Sequence, residues 1–94
     1  MSPDGTTAPG VAHQTRVTFD NVLRVLAEVD LTVFDISSLR IYLTSHQDIE
    51  AFTQSAKSCL KGHRPAATLL VLEHLADPSL LVQVEAVAVQ EARA

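Results

Sequence analysis

The spacing of apolar residues predicts a helix in the first third of the chain. Between Val11 and Glu28 four apolar residues recur at helical intervals and form one stripe: Phe19, Val22, Leu23 and Leu26. Four charged residues of alternating sign follow the same segment at intervals of four: Arg16, Asp20, Arg24 and Glu28. This second pattern is typical of a solvated helix face. We therefore expect the first helix to run from Val11 to Glu28.

The pattern then changes to strict alternation. From Ser37 to Thr44 every second residue is apolar, which predicts a half-buried strand. Ser45 and Asp48 have the spacing of a capping box, and helical periodicity resumes after them. Gly62 is the expected end of this second helix, because glycine readily adopts the left-handed conformation of a helix terminus.

Two further strands are predicted in the last third. The run Ala66–Glu73 is almost continuously apolar, which favours a central strand buried on both faces. After a turn at Ala76–Ser79, the segment Leu80–Val89 alternates again and predicts the last strand. The order helix, strand, helix, strand, strand indicates an α+β domain with both helices on one face of the sheet.

The two chain ends have a different character from this domain. Residues 1–10 hold two prolines and two glycines and are expected to be an irregular lead-in. Residues 11–90 form the domain, and residues 91–94 are expected to fray.

The composition excludes several classes of function. The chain has 94 residues, of which 47% are hydrophobic and 19% charged, so it is one small domain that we expect to bury apolar surface against another chain. A net charge of −4 argues against a nucleic-acid partner. The polar start lacks the order of a secretory signal, and no apolar run approaches the roughly 20 residues that span a bilayer. We expect a cytoplasmic protein with no membrane partner.

The chain has few candidates for chemistry. It lacks a glycine-rich phosphate loop, an HExxH pair and a nucleophile elbow. Its four histidines are scattered, so we expect no metal site, and Cys59 is expected to be a structural thiol. Gln83 and Glu85 share one face of the last strand, either as a solvated edge or as part of a polar cleft. Arg64 is either a solvated loop residue or a clamp for a carboxylate.

Several segments, in the right order, resemble the RidA/YjgF family. In the C-terminal part the similar segments are Arg64–Thr68, Ala76–Pro78 and Leu81–Ala88. In the N-terminal part they are Gln14–Thr15, Phe19–Val22 and Ile41–Thr44, followed by Asp48 and Phe52. The similarity extends over nearly all of the chain.

This resemblance implies a fold, an assembly and an activity. Such proteins have a chorismate-mutase-like α+β fold and form homotrimers with ligand clefts between the subunits. Their activity is the hydrolysis of reactive enamines and imines, such as 2-aminoacrylate, to a keto acid and ammonia. This is hydrolase chemistry on a C–N bond that needs no metal or organic cofactor. The expected partner is a small imine, enamine or keto-acid-like molecule.

The resemblance also implies site residues, and two of them are substituted. The arginine that holds the substrate carboxylate in the family corresponds to Ala67, and the catalytic glutamate corresponds to Gln83. Glu85 matches a second acidic position of the family. Arg64 is a candidate substitute for the missing arginine, but it lies three residues away, so we do not expect identical chemistry. We therefore expect a deaminase of weak or altered activity. The alternative is a non-catalytic module on the same scaffold that binds a small metabolite or a partner protein.

One segment of the family has no counterpart here. Family members begin with a two-stranded hairpin that carries a Ser-Gly-Gln segment, and this chain starts just after that place. Either the start of the chain is assigned too late, or the protein lacks these two strands. We expect the second, a sheet without the usual N-terminal hairpin and with an exposed strand edge.

Overall fold

The computed structural model describes residues 10–89 and shows two helices and one three-stranded sheet in that part of the chain. The elements are, in order, α1 (Val11–Glu28), β1 (Ile36–Leu43), α2 (Ile49–Leu60), β2 (Ala66–Val71) and β3 (Val82–Ala88). This order confirms the predicted α+β class. The lead-in up to residue 9 and the tail after residue 90 lie outside the described residues.

The strands are arranged in the order β2–β1–β3. β1 runs parallel to β2 and antiparallel to β3, so α2 forms the crossover that connects two parallel strands. The register pairs Leu39 with Ala67 on one side and with Ala86 on the other. Residues that face each other across strands therefore form rows whose side chains lie on the same side of the sheet.

The prediction of a central, doubly buried strand at Ala66–Glu73 is wrong. The strand ends at Val71 and lies at the edge of the sheet, and its first three residues are exposed. The central strand is β1, which alternates between buried and exposed residues. An apolar run reports the hydrophobicity of a segment but not which strands lie beside it, so the run alone could not fix the strand order.

Both helices cover one face of the sheet, as predicted. The core of described residues joins α1 and α2 to the inward side chains of β1 and β3, and its main members are Phe19, Phe52, Leu39, Ile41, Leu43 and Val82. Phe19 and Leu43 are completely buried. The opposite side of the sheet, which we call the open face, has no helix of the described chain over it.

The turn after α2 differs slightly from the sequence expectation. Gly62 has a positive φ of 87°, as expected for a helix terminus, but Lys61 before it is also left-handed, with a φ of 53°. Glycine adopts this conformation without the penalty that a side chain brings. At the start of the helical region, the Gln47 N–H donates to Ser45 Oγ (3.2 Å), so Ser45 caps the short 3₁₀ turn His46–Asp48 that precedes α2.

Gln14 connects α1 to the beginning of β3. Its Nε2 donates to the Ser79 carbonyl (3.2 Å), and the Leu81 N–H donates to its Oε1 (2.7 Å). Both partners belong to the loop that returns the chain from β2 to β3. The side chain of Gln14 therefore satisfies two backbone groups that neither strand ladder pairs.

Replacing Gln14 with leucine should destabilise the domain, because it leaves the partly buried Leu81 N–H without its acceptor. We expect a loss of about 1–3 kcal/mol in the free energy of unfolding, measured by urea denaturation. Gln47→Leu is the matched control, because no side-chain hydrogen bond of Gln47 is found in residues 10–89. Equal losses for the two variants would show that the Gln14 bridge does not stabilise the fold.

Candidate functional site

A cavity of about 590 Å³ lies between α2 and β2 on the helix side of the sheet. We call it the α2–β2 cavity. The core joins α2 to the central strand β1, whereas β2 lies at the edge of the sheet. The helices therefore cover β2 less completely, which leaves the cavity open beside it. Its apolar wall is formed by residues of α2, β1 and β2: Leu39, Ile41, Phe52, Ala56, Leu60 and Leu69.

The loop between α2 and β2 supplies the polar side of this cavity. The two left-handed residues after α2 reverse the chain, and His63, Arg64 and Pro65 then line the cavity on the way into β2. Pro65 has a fixed φ and disfavours the helical conformation for the residue before it. Arg64 is therefore extended and lies just before β2. Arg64 is exposed.

His63 anchors this loop to the sheet. Its Nε2 lies 2.7 Å from the Ile36 carbonyl oxygen, and its ring meets the ring of Phe34 edge-on at 5.9 Å between centroids. A carbonyl oxygen only accepts, so the bond places the ring proton on Nε2 and leaves the lone pair of the neutral ring on Nδ1. No local pattern in the sequence signals this contact with Ile36, which lies 27 positions away.

The charges around the α2–β2 cavity favour an anion. Lys57 and Arg64 line it, both are exposed, and neither forms an ion pair within residues 10–89. The chain holds eleven acidic residues, but none of the described residues that line the cavity is acidic. This region is therefore locally cationic in a chain whose net charge is −4.

The α2–β2 cavity contains two of the four predicted site residues. Arg64 and Ala67 both line the α2–β2 cavity. Ala67 pairs with the buried Leu39 across the strands, which places its side chain on the helix side of the sheet.

The other two lie on the open face. Gln83 is opposite Tyr42 and Glu85 is opposite Arg40, with 4.0 Å between Arg40 Nη1 and Glu85 Oε1. A smaller cavity of about 300 Å³ is lined by Glu85 and also by Ala67, but not by Gln83. Within one protomer the positions of Ala67 and Gln83 are therefore separated by the thickness of the sheet, and their side chains do not share a cavity.

Cys59 and the histidines show no arrangement for metal or thiol chemistry in the described part of the chain. Burial raises the pKa of the Cys59 thiol; the nearby Arg16 acts in the opposite direction, and Asp20 adds to the increase. A thiol of this kind is rarely ionised at neutral pH and is a poor nucleophile. Within residues 10–89 no three His, Cys, Asp or Glu side chains lie together as a metal-binding group. In the same range no helix is long and apolar enough to cross a bilayer.

Comparison with known proteins adds sequence relatives. The family model described as Endoribonuclease L-PSP matches residues 2–90. The uncharacterized protein SCO2049 of Streptomyces coelicolor is 32% identical over 73 residues, which is 78% of this chain. The chain spans 54% of the length of that relative, or about half.

Solved structures of similar shape come from several bacteria. Rv2704 of Mycobacterium tuberculosis, a member of the YjgF/YER057c/UK114 family, is 25% identical with a TM-score of 0.79 over 85% of this chain and 68% of its own. PA3499 of Pseudomonas aeruginosa, a protein of unknown function, is 27% identical, with a TM-score of 0.83. The match covers 87% of this chain and 59% of PA3499. TdcF of E. coli, solved with bound serine, shares the fold at 22% identity, with a TM-score of 0.83. The match covers 93% of this chain and 70% of TdcF.

Proposed function

The chain belongs to the Endoribonuclease L-PSP family, which is the RidA/YjgF family, and on that premise we propose that it binds a small carboxylate-bearing metabolite in the α2–β2 cavity. We propose further that its enamine and imine deaminase activity is weak or lost. The observation that carries the proposal is a cavity edged by Lys57 and Arg64, neither of which forms an ion pair within residues 10–89. By resemblance, Ala67 in the same cavity corresponds to the family's substrate-binding arginine.

Carboxylate binding rests on Arg64. Its planar guanidinium can donate two parallel hydrogen bonds to a carboxylate, and Lys57 adds a second positive charge to the same cavity. Ala67 offers no charged group, and the loss of one charge-assisted contact weakens binding by about 1.5–3 kcal/mol. The chain is therefore expected to hold a carboxylate at a different place in the cavity from its relatives.

Weak catalysis follows from Gln83. An amide can hold a water molecule by hydrogen bonds, but it cannot accept a proton at neutral pH. Proton transfer by a positioned side chain contributes roughly 10²–10⁴-fold to rate, and most of that factor is expected to be missing here. What remains is the orientation of an already reactive substrate.

A homotrimer is part of the proposal. The open face carries exposed apolar side chains, with Leu70 45% and Val87 55% accessible in the single chain. A chain of this size gains stability when it buries such a face against further copies. A neighbouring copy would also cover a cavity that lies at the exposed edge strand β2. The bound serine of TdcF supports the idea that this fold holds small amino acids and related acids.

RNA cleavage is not part of the proposal, although the family description contains that word. Affinity for a nucleic-acid backbone comes from many Lys and Arg contacts with phosphates. The chain has seven such residues against eleven acidic ones, and among the described residues only Lys57 and Arg64 bring such a charge to the α2–β2 cavity.

The proposal predicts where a small carboxylate binds. In NMR titrations of the labelled full chain, pyruvate should shift the amide signals of Thr53, Leu60 and Ala67, whereas the neutral pyruvamide should not. Arg64→Ala should weaken pyruvate binding about fivefold to tenfold, because the guanidinium is exposed and its contribution is screened by water.

Arg24→Ala is the matched control, because Arg24 is an exposed arginine of α1 that pairs with Asp20 at 3.4 Å, away from the cavity. It should leave pyruvate binding unchanged. The proposal is wrong if no carboxylate shifts the cavity signals, or if pyruvate shifts those of the open face instead.

A further inference from the structure

The α2–β2 cavity is larger and more apolar than a three-carbon acid requires. Its volume of about 590 Å³ lies in the range of roughly 300–1,000 Å³ that is typical of pockets for ligands much larger than pyruvate or serine. Pyruvate has one methyl group, whereas the cavity lining includes eight apolar residues, which are the six of the wall together with Pro65 and Ala67. A ligand that matched the cavity would therefore have to bring its own apolar surface.

Ala67 contributes directly to this apolar character. It lines the β2 side of the cavity beside Leu69, and its methyl group takes little of the space. A long cationic side chain at the same position would lie across that side and place a charge next to the apolar wall. The alanine leaves the wall continuous from Phe52 and Leu60 of α2 to Leu69 of β2.

The cationic and apolar parts of the cavity are separate. Lys57 and Arg64 are exposed, whereas Phe52, Leu39 and Ile41 are buried. A ligand with a charged end and an apolar end can satisfy both regions at once, with its anion at the solvent side and its apolar group against the wall. The absence of acidic residues from the described lining sets the sign of the charged end.

We propose that the α2–β2 cavity selects a carboxylate that carries a branched aliphatic or aromatic group over a two- or three-carbon acid. This inference rests on the proposed function, and it assigns the substrate class of that site. The carboxylate contacts Arg64 and Lys57, and the apolar group lies against Phe52, Leu60 and Leu69.

The test compares three probes on the full chain by calorimetry and NMR: pyruvate, phenylpyruvate and the neutral ketone phenylacetone. Phenylpyruvate should bind about tenfold to a hundredfold more tightly than pyruvate, because it buries a ring that pyruvate lacks. Phenylacetone should bind at least fivefold more weakly than phenylpyruvate, because it lacks the carboxylate.

Two leucines, one inside the cavity and one outside it, provide matched variants. Leu69→Ala removes a side chain from the cavity wall, whereas Leu80→Ala removes the same side chain from the exposed loop before β3, which lines neither cavity. We expect Leu69→Ala to weaken phenylpyruvate about fivefold and to leave pyruvate unchanged, and Leu80→Ala to change neither.

The outcomes separate this inference from the proposed function. If pyruvate binds at the cavity and phenylpyruvate is no more than threefold tighter, the inference is overturned while the proposed function stands. The inference is also overturned if phenylacetone binds as tightly as phenylpyruvate, because the carboxylate then contributes nothing, or if Leu80→Ala acts like Leu69→Ala. If neither acid shifts the cavity signals, the proposed function itself has failed. The comparison of probes uses the unaltered protein, so it decides the question even if Leu69→Ala does not fold.

Discussion

Replacing Phe19 with alanine should lower the free energy of unfolding by about 3–5 kcal/mol, the range for removing a buried aromatic side chain. Phe19 has no accessible surface and packs where α1 meets the inward face of the sheet. A small domain is stable by only about 5–15 kcal/mol in total. The variant should therefore be close to unfolding, and urea denaturation followed by circular dichroism measures the loss.

Val17→Ala is the control for this variant. Val17 lies on the same helix but is 46% exposed, so its truncation should change the free energy of unfolding by no more than about 0.5 kcal/mol. If Phe19→Ala does not fold, Phe19→Leu should still fold with a smaller loss, because it keeps most of the apolar volume. A loss for Phe19→Ala no greater than that for Val17→Ala would contradict the proposed core.

The elements of this fold follow from local periodicity. Helix α1 begins and ends at the predicted residues, Val11 and Glu28, because one apolar stripe and one charged face run through the whole segment. β1 and β3 were predicted to within two residues, since each has one face in the core and therefore alternates.

The strand order required information that no single segment holds. β2 is the most apolar segment of the chain, yet it lies at the edge of the sheet and β1 lies in the middle. Its apolar residues line the α2–β2 cavity on one face and lie on the open face on the other. No further strand of the described chain pairs with its outer edge. The apolar run correctly predicted apolar surroundings for β2. It wrongly predicted that neighbouring strands on both sides provide them.

The candidate site was predicted in part for a similar reason. The resemblance pointed to Arg64 and Ala67, and both line one cavity. The cavity itself depends on how far α2 stands from β2, and the His63 contact with Ile36 joins residues 27 positions apart. Spacing along the chain does not report such distances, because they are set by the packing of the helix on the sheet.

The combined change Ala67→Arg and Gln83→Glu should raise the hydrolysis of 2-aminoacrylate at least ~100-fold over the unaltered protein, if the scaffold has kept its family geometry. The arginine would hold the substrate carboxylate, and the glutamate would accept the proton that glutamine cannot. The assay generates 2-aminoacrylate in place and follows pyruvate and ammonia, with the uncatalysed release subtracted. The unaltered protein should stay close to that background.

The positions of these two residues make a sharper prediction about the assembly. Position 67 faces the helix side of the sheet and position 83 faces the open side, so one protomer does not bring the two side chains together. A joint site requires the open face of one copy to approach the α2–β2 cavity of another. Activity of the double variant should therefore disappear when the protein is diluted to monomers, as followed by sedimentation.

Mixing single variants tests this directly. Ala67→Arg alone and Gln83→Glu alone should each stay near the uncatalysed background. Their co-expressed mixture should recover part of the activity, because some interfaces in the mixed trimers then join an Ala67→Arg subunit to a Gln83→Glu subunit. Ala66→Arg replaces Ala67→Arg in the control mixture, since it adds the same charge on the open face of the same strand and should recover nothing.

An active double variant with an inactive mixture would show that the two side chains meet within one protomer. An inactive double variant in an intact trimer would show that the scaffold no longer holds the family geometry, and would leave metabolite binding as its function.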